Sequence, residues 1–249
     1  KILSQINGKG DFVYFHVLGE PLLHPEIGDF LDLCNDYGNK VNITTNGTLL
    51  NSKGNILISK EALRQINISL HSLEANDLQG VNENYLNEIF EFTQKAILNN
   101  IIICLRLWNL SDKGKNKKNS YILRRIEEEF ALPFVLEEKV TSLHGVKLCN
   151  NVFLNQSTIF DWPSLNAEDV GDRGFCYGLR NQIGFLVDGT VVPCCLDSDG
   201  IIDLGNIQEN DFDAIINSKR ARELYEGFSQ RVVCENLCKK CGYRVRFGK

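Results

Sequence analysis

The sequence has 249 residues, of which 43% are hydrophobic and 24% are charged. This composition is typical of a globular protein and excludes disordered, collagen-like and fibrous classes. The net charge of −5 provides no general attraction for nucleic acid or for an anionic membrane. No apolar run approaches the roughly 18 residues of a transmembrane helix, and no secretory signal is visible. We therefore expect a cytoplasmic protein with no nucleic-acid or membrane partner.

The first part of the chain alternates strand-like and helix-like segments. Alternating β and α elements with strands buried on both faces predict a parallel sheet, either open and doubly wound or closed into a complete or partial barrel. Periodicity leaves that choice open. The predicted strands are 12–17, 40–45, 66–70 and 101–107, with a last strand from 134–136 or near Val146; the predicted helices are 27–34, 59–65 with Ser59 as N-cap, 85–98 and 122–130.

The second part begins after a loop-rich stretch at 161–174. Segments 182–187 and 190–193 flank Asp188-Gly189, which predicts an antiparallel hairpin with a type I′ turn. Helices are expected at 212–217, capped by Asp211, and at 220–228. We therefore divide the chain into domains 1–160 and 161–249. A basic run, which indicates a solvated loop, contains Lys113, Lys115, Lys117 and Lys118.

Nine cysteines are many for a chain without an export signal, because clustered cysteines in a reducing compartment usually bind metal or catalyse. Six of them lie in the second part: Cys176, Cys194, Cys195, Cys234, Cys238 and Cys241. Four thiolates from two separated elements suit either tetrahedral zinc or a [4Fe–4S] cluster, and the ligand count alone does not distinguish them. Small buried hydrophobes and a disulfide framework are the weaker alternatives.

Polar residues follow several predicted strands, where the loops of a parallel α/β fold converge on a ligand. Gly19, Glu20 and Pro21 follow the first strand. A backbone with Gly and Pro can present its amides rigidly, and a carboxylate can accept from an ammonium group. The other strand ends carry Thr45 and Asn46 in Thr-Thr-Asn-Gly, Ser69 with His71, and Arg106. Each could instead be an ordinary turn or, for Arg106, a snorkelling edge residue.

Familiar catalytic patterns are missing from the sequence. It contains no GxGxxG, GxxxxGK[ST], GxSxG or HExxH. The four histidines include no close metal pair, and we expect His16, in the first strand, to be a hydrogen-bonded structural residue.

Taken together, these features resemble the radical S-adenosylmethionine (SAM) enzymes that carry a C-terminal auxiliary-cluster domain of the SPASM or twitch type. HVLGEPLLHP resembles the GGEP motif, which binds the SAM amino group, and VNITTNGTLL and INISLHS resemble the next two strand ends. The hairpin segment IGFLVDGTVVPCCLDSDG is similar to the SPASM hairpin, and CENLCKKC to its closing cysteines. The resemblance covers nearly the whole chain.

The resemblance implies a partial (β/α)6 TIM-like barrel followed by a small Cys-rich α+β domain. It implies that Gly19, Glu20 and Pro21 bind the SAM amino group, that Ser69 and Arg106 bind its ribose and carboxylate, and that Thr45 and Asn46 line the same pocket. It also implies auxiliary-cluster ligands, which would be Cys176, Cys194, Cys238 and Cys241, with Cys195 and Cys234 as alternates or as ligands of a second cluster.

Two features depart from the family pattern. Leu18 stands where the first Gly of GGEP is usual, although the Glu and Pro are in place. The CxxxCxxC that holds the SAM-binding [4Fe–4S] cluster should follow a strand before Phe12, where the sequence has no Cys. Cys234, Cys238 and Cys241 have that spacing but lie at the wrong end of the fold. We expect the triad in a βα unit that precedes Lys1.

The function implied by the resemblance is reductive cleavage of SAM to a 5′-deoxyadenosyl radical, which abstracts hydrogen from a substrate. A peptide or a small molecule would be that substrate, and a flavodoxin or ferredoxin would be a suitable reductant. The auxiliary cluster would bind substrate or pass electrons. A non-catalytic zinc or iron–sulfur scaffold is the competing hypothesis, and a barrel aldolase or metal hydrolase lacks a supporting constellation.

Overall fold

A computed structural model describes residues 1–72, 82–111, 116–139 and 145–248. Lys113 and Lys115 of the basic run lie outside these ranges. The chain forms two compact units, one of Gly10–Ile159 and one of Lys1–Lys9 with Phe160–Lys249. None of the described helices is long and apolar enough to cross a membrane.

The first unit is built on a six-stranded sheet in the order β1-β2-β3-β4-β6-β5. Every neighbouring pair is parallel except β5 with β6, which is antiparallel. The strands are β1 (Phe12–Phe15), β2 (Lys40–Thr45), β3 (Leu63–Ser69), β4 (Ile102–Leu110), β5 (Val146–Cys149) and β6 (Val152–Thr158).

Helices connect the parallel strands, as the alternating pattern predicts. The helices of the first unit are α2 (Ile27–Asp36), α3 (Leu50–Ile58), α4 (Asn82–Leu98), α5 (Asn119–Glu129) and α6 (Leu136–Lys139), with a 310 turn at Pro21–Leu23; α1 (Ile2–Ile6) belongs to the second unit.

The helix predicted at 59–65 is wrong. The connection between β2 and β3 is α3, which ends at Ser59 rather than beginning there. Its sequence contains Asn51, Ser52 and Gly54, which lower the helix propensity, so packing against the rest of the unit decides its structure. Gly54 is buried against Phe92, and a Cβ at that position would lie 2.7 Å from the Phe92 ring.

The end of the sheet also differs from the prediction. Residue Leu136 begins helix α6 rather than ending a strand, and the strand near Val146 is the antiparallel edge strand β5. The parallel partner of β4 is β6, which the sequence analysis missed. A tight turn at Asn151, with φ of 61°, joins β5 to β6, so the usual turn residues stand between two short strands.

The sheet has one apolar and one polar face. The apolar face is buried, and its side chains include Ile43, Ile66, Ile68, Ile103 and Leu105, each fully inaccessible to solvent. The residues that alternate with them are mostly polar. In register across three strands, Thr44 of β2 stands beside Asn67 of β3, and Ser69 of β3 stands beside Arg106 of β4. The sheet therefore presents its polar groups on one side.

The second unit contains the predicted hairpin, in which β7 (Gly184–Phe185) pairs antiparallel with β8 (Val191–Val192). Its loop differs from the type I′ prediction. Only Gly189 has a positive φ, of 92°, and Leu186 N–H donates to the Thr190 carbonyl at 2.9 Å. This is a three-residue loop with glycine in the last position, and Asp188 accepts a bond from Thr190 N–H.

The remaining elements of this unit are α7 (Phe212–Ile216), α8 (Lys219–Ser229), α9 (Asn236–Lys239) and a 310 helix at Gly242–Phe247. Their core includes Ile207, Leu224 and Phe228, and α1 packs Ile2 and Ile6 against it. The expected cap of α7 is replaced, since Asp211 makes no side-chain bond to the helix and Phe212 N–H donates to Gln5 Oε1 at 2.7 Å. The first nine residues thus complete the second unit.

Candidate S-adenosylmethionine and iron–sulfur sites

The loop after β1 is fixed by the Glu20 carboxylate. Gly19 has a φ of 81°, which suits glycine, and Glu20 then caps the 310 turn that begins at Pro21. Glu20 Oε1 accepts from Leu22 N–H at 3.0 Å, and Oε2 accepts from Asn46 N–H at 2.7 Å. One carboxylate therefore joins the ends of β1 and β2, and its other lone pairs can accept from a ligand.

Thr45 and Asn46 form the turn after β2 with bonds of their own. Thr45 is buried, and its Oγ1 accepts from Gly47 N–H at 3.0 Å. Asn46 Oδ1 accepts from Thr48 N–H at 2.9 Å and from the Thr48 hydroxyl at 2.7 Å. The geometry gives Thr45 a turn-stabilising role, and the Asn46 backbone rather than its amide contacts Glu20.

Tyr85 is a residue of this site that the sequence did not single out. It is buried in α4, and its hydroxyl donates to the Asn46 carbonyl at 2.5 Å. Burial raises the pKa of Tyr85, and the nearby Glu20 carboxylate raises it further. A lone Tyr on an amphipathic helix gives no sequence signal of such a contact.

Ser69 and Arg106 lie opposite each other at the ends of β3 and β4. The Arg106 guanidinium stacks 4.8 Å from the centre of the Trp108 ring, and its buried Nε has no hydrogen-bond partner. His16 Nδ1 is likewise buried and unpaired, contrary to the expectation of a hydrogen-bonded histidine. Burial lowers the pKa of His16, and the Arg106 charge lowers it further. Unpaired buried nitrogens of this kind indicate a place for ligand atoms.

Five cysteines of the second unit lie close enough to affect one another's charge. Burial raises the pKa of Cys238 most strongly, and Cys194, Cys176 and Cys241 raise it further. Burial, with the neighbouring Cys195, Cys176 and Cys241, raises the pKa of Cys194 to about 12. The structure therefore brings together the four residues predicted as ligands, with Cys195 beside them.

Cys234, the other alternate, lies apart from this group. It is exposed, and its thiol donates to the Glu223 carbonyl at 3.5 Å. A Cβ at residue 227 would lie 2.5 Å from Cys234 Sγ, so Gly227 of α8 packs directly against it. This thiol is held against α8.

Backbone N–H groups point at the grouped sulfurs. Gly178 N–H donates to Cys176 Sγ at 3.5 Å. Burial raises the pKa of Cys241, and a backbone bond from Arg244 offsets part of that rise. Hydrogen bonds to the sulfurs are among the factors that set the potential of an iron–sulfur cluster. The donors therefore suit thiolate ligands.

Within the described ranges, no group of three or more His, Cys, Asp or Glu side chains is arranged to hold a metal ion. A [4Fe–4S] cluster is wider than one ion, so its four thiolate ligands stand further apart. A soft, all-thiolate donor set with N–H bonds to sulfur fits such a cluster better than it fits a closed tetrahedral zinc site.

Comparisons with known proteins agree with this geometry. Residues 176–242 match the SPASM iron–sulfur cluster-binding domain. A probable GTP 3′,8-cyclase of Archaeoglobus fulgidus is 23% identical over 241 residues, covering 83% of this chain and 77% of that protein.

Solved structures with the same fold include anSMEcpe with bound AdoMet, with a TM-score of 0.54 at 15% identity over 99% of this chain and 76% of that chain. BtrN in complex with AdoMet and 2-DOIA has a TM-score of 0.49 at 17% identity over 96% and 76%. The fold is the partial barrel followed by the Cys-rich domain, and the cofactors are an iron–sulfur cluster and SAM. The chain is thus a radical SAM enzyme with a C-terminal SPASM domain.

Proposed function

We propose that this enzyme cleaves SAM reductively and uses the resulting 5′-deoxyadenosyl radical to abstract hydrogen from a peptide or protein substrate. The observation that carries the proposal is the meeting of polar groups at the carboxyl ends of β1 to β4. There the Glu20 carboxylate joins two strand ends, and Arg106 has a buried, unpaired Nε. Ligands of parallel α/β sheets bind at this edge.

Each strand end has a role in holding SAM. Glu20 accepts from the SAM ammonium group with the lone pairs that Leu22 and Asn46 N–H leave unused. Gly19 and Pro21 fix the backbone around that carboxylate. When bound, SAM and its cluster supply the electron transfer and the radical, while the protein supplies position and exclusion of water.

Two further groups of the same edge would orient the rest of SAM. Arg106 donates from its unpaired Nε to the SAM carboxylate, since a guanidinium binds carboxylates through charge-assisted hydrogen bonds. Ser69 stands beside it in register and offers a hydroxyl to the ribose. The stacking of Arg106 on Trp108 holds the guanidinium in place.

The ligands of the auxiliary cluster, on this proposal, are Cys176, Cys194, Cys238 and Cys241. Their support is their mutual proximity and burial. Cys195 stays an alternate ligand because it belongs to the same group of thiols. The reductant is a low-potential electron carrier of the flavodoxin or ferredoxin class.

A peptide substrate is supported by the polar face of the sheet, which carries amide side chains that can pair with peptide groups. Asn67 donates to Thr44, and Asn155 Oδ1 accepts from Trp108 Nε1 at 2.7 Å. Each amide has further donor or acceptor capacity. The similarity to a probable GTP 3′,8-cyclase favours a purine nucleotide as the second candidate substrate.

The test is formation of 5′-deoxyadenosine from SAM by the full-length, anaerobically purified enzyme with dithionite as reductant. We expect E20Q and R106Q to reduce this activity strongly and E26Q, on the exposed start of α2, to leave it unchanged. Synthetic Cys- and Ser-containing peptides and GTP are then added in separate reactions. Stimulation with a mass change in a peptide supports the peptide assignment, whereas stimulation by GTP alone contradicts it.

A further inference from the structure

Arg244 is a buried cation among the segments that carry the grouped cysteines. It is 3% exposed and lies three residues after Cys241. Its Nε donates to the carbonyl of Cys238 at 3.0 Å, Nη1 donates to the carbonyl of Arg173 at 2.8 Å, and Nη2 donates to the carbonyl of Gly171 at 2.7 Å. The guanidinium thus joins the segment before Cys176 to the segment of Cys238.

All three of these bonds go to main-chain carbonyls. In the described part of the chain, no carboxylate forms an ion pair with Arg244; the nearest ion pair in sequence joins Lys240 and Asp169. Carbonyl dipoles satisfy the N–H groups but do not neutralise the charge. A buried charge without an opposite charge is costly, so proteins normally pair it or use it to stabilise an anion.

The groups that do feel the Arg244 charge are thiols. Burial raises the pKa of Cys176 and of Cys241, and the Arg244 charge offsets part of the rise in both. The backbone leaves room for the guanidinium at one position in particular. A Cβ at residue 174 would lie 2.4 Å from Arg244 Nη1, and Gly174 has a φ of 140°, which suits glycine.

We propose that Arg244 is a positioning residue of the auxiliary cluster that raises its reduction potential by placing a fixed positive charge beside it. The inference rests on the proposed ligand set. A [4Fe–4S]2+ core with four thiolates carries two negative charges. When it accepts one electron from a flavodoxin- or ferredoxin-class donor, it carries three. A buried cation stabilises the reduced state more than the oxidised state, because the charge it faces is larger.

The three hydrogen bonds alone would have a different consequence. They would hold the two ligand-bearing segments together and so affect how much cluster the protein retains, without changing the potential of the cluster that is retained. Charge and hydrogen bonding are separable because Arg244→Lys keeps the charge and loses the planar fork, whereas Arg244→Gln loses the charge.

The experiment is a redox titration of the full-length, anaerobically purified protein, followed by electron paramagnetic resonance of the reduced clusters. The auxiliary signal is the one that Cys238→Ala removes. In R244Q we expect the ratio of reduced to oxidised cluster at a fixed potential to fall about tenfold, which is about 59 mV for a one-electron couple. R244K should stay close to wild type. R246Q is the matched control, since Arg246 is exposed and stacks on Phe160 and Tyr243.

An unchanged potential in R244Q, or an equal shift in R244Q and R244K, would overturn the electrostatic role. If R244Q retains too little cluster to titrate, G174A decides the matter. Its methyl group displaces the guanidinium, so the potential should fall by a smaller amount, and an unchanged potential there overturns the proposal. Failure of the ligand set looks different, because Cys238→Ala would then remove no signal.

Discussion

The first unit holds its polar groups at the ends of parallel strands, whereas the second holds its cysteines on loops and very short helices. In the first unit, Glu20 already accepts two backbone bonds and Asn46 is tied to Tyr85. In the second, the thiols are buried with raised pKa values. Hydrogen bonds assemble one site before its ligand arrives. The other site pays a desolvation cost that metal binding offsets.

The largest effect that this comparison predicts follows loss of one proposed cluster ligand. Cys238→Ala should remove about four irons per chain and the absorbance near 400 nm. It should also speed amide hydrogen exchange in 160–248 while leaving β2 to β4 protected, because metal binding stabilises only the second unit.

Cys234→Ser is the matched control, since that thiol is exposed and bonded to the Glu223 carbonyl. Its iron content and exchange should equal those of wild type. If Cys238→Ala retains all its iron, or if exchange rises equally in both units, the comparison fails.

Cys34 sharpens the comparison, because it is a buried thiol of the first unit with no metal role. Burial raises the pKa of Cys34 from 9.0 to about 11. An unfolded chain releases this proton near pH 9 and the folded chain near pH 11, so the stabilising contribution is complete below pH 9 and is lost as the pH rises to 11. Two units of pKa correspond to about 3 kcal/mol at most.

The measurement is the free energy of unfolding by denaturant between pH 8.5 and pH 11, for wild type and for Cys34→Ala. The wild-type value should fall more steeply with pH than the value of the variant. Parallel curves would show that the Cys34 thiol ionises at the same pH in the folded and unfolded states.

A smaller effect is expected at the preassembled site. Glu20→Gln replaces one carboxylate oxygen by an amide nitrogen, which cannot accept from backbone N–H, and it removes the charge that pairs with the SAM ammonium. A lost charge-assisted bond costs about 1.5 kcal/mol, so SAM should bind roughly tenfold more weakly. Equilibrium dialysis of SAM with the full-length protein measures this, with E26Q as control. Equal affinity in E20Q and wild type would remove Glu20 from the site.

The sequence predicts the strand ends well because apolar runs and the polar residues that end them are local signals. The alignment of Ser69 with Arg106 follows from parallel pairing. The failures are long-range. Helix α3 depends on Gly54 packing against Phe92, and the cap of α7 comes from Gln5, which lies more than 200 residues away. No short window of sequence contains either contact.

Tyr85 shows the same limit within the site, and it carries the smallest prediction. Its hydroxyl supports the Asn46 carbonyl, whose residue donates its N–H to Glu20. Tyr85→Phe keeps the ring and removes one hydrogen bond, so the free energy of unfolding should fall by about 1 kcal/mol. Because Asn46 then holds Glu20 less firmly, SAM should also bind a few-fold more weakly. Tyr225→Phe, on an exposed ring of α8, is the control. A loss of stability with unchanged SAM affinity would show that Glu20 alone orders the two strand ends and that Tyr85 serves only the core.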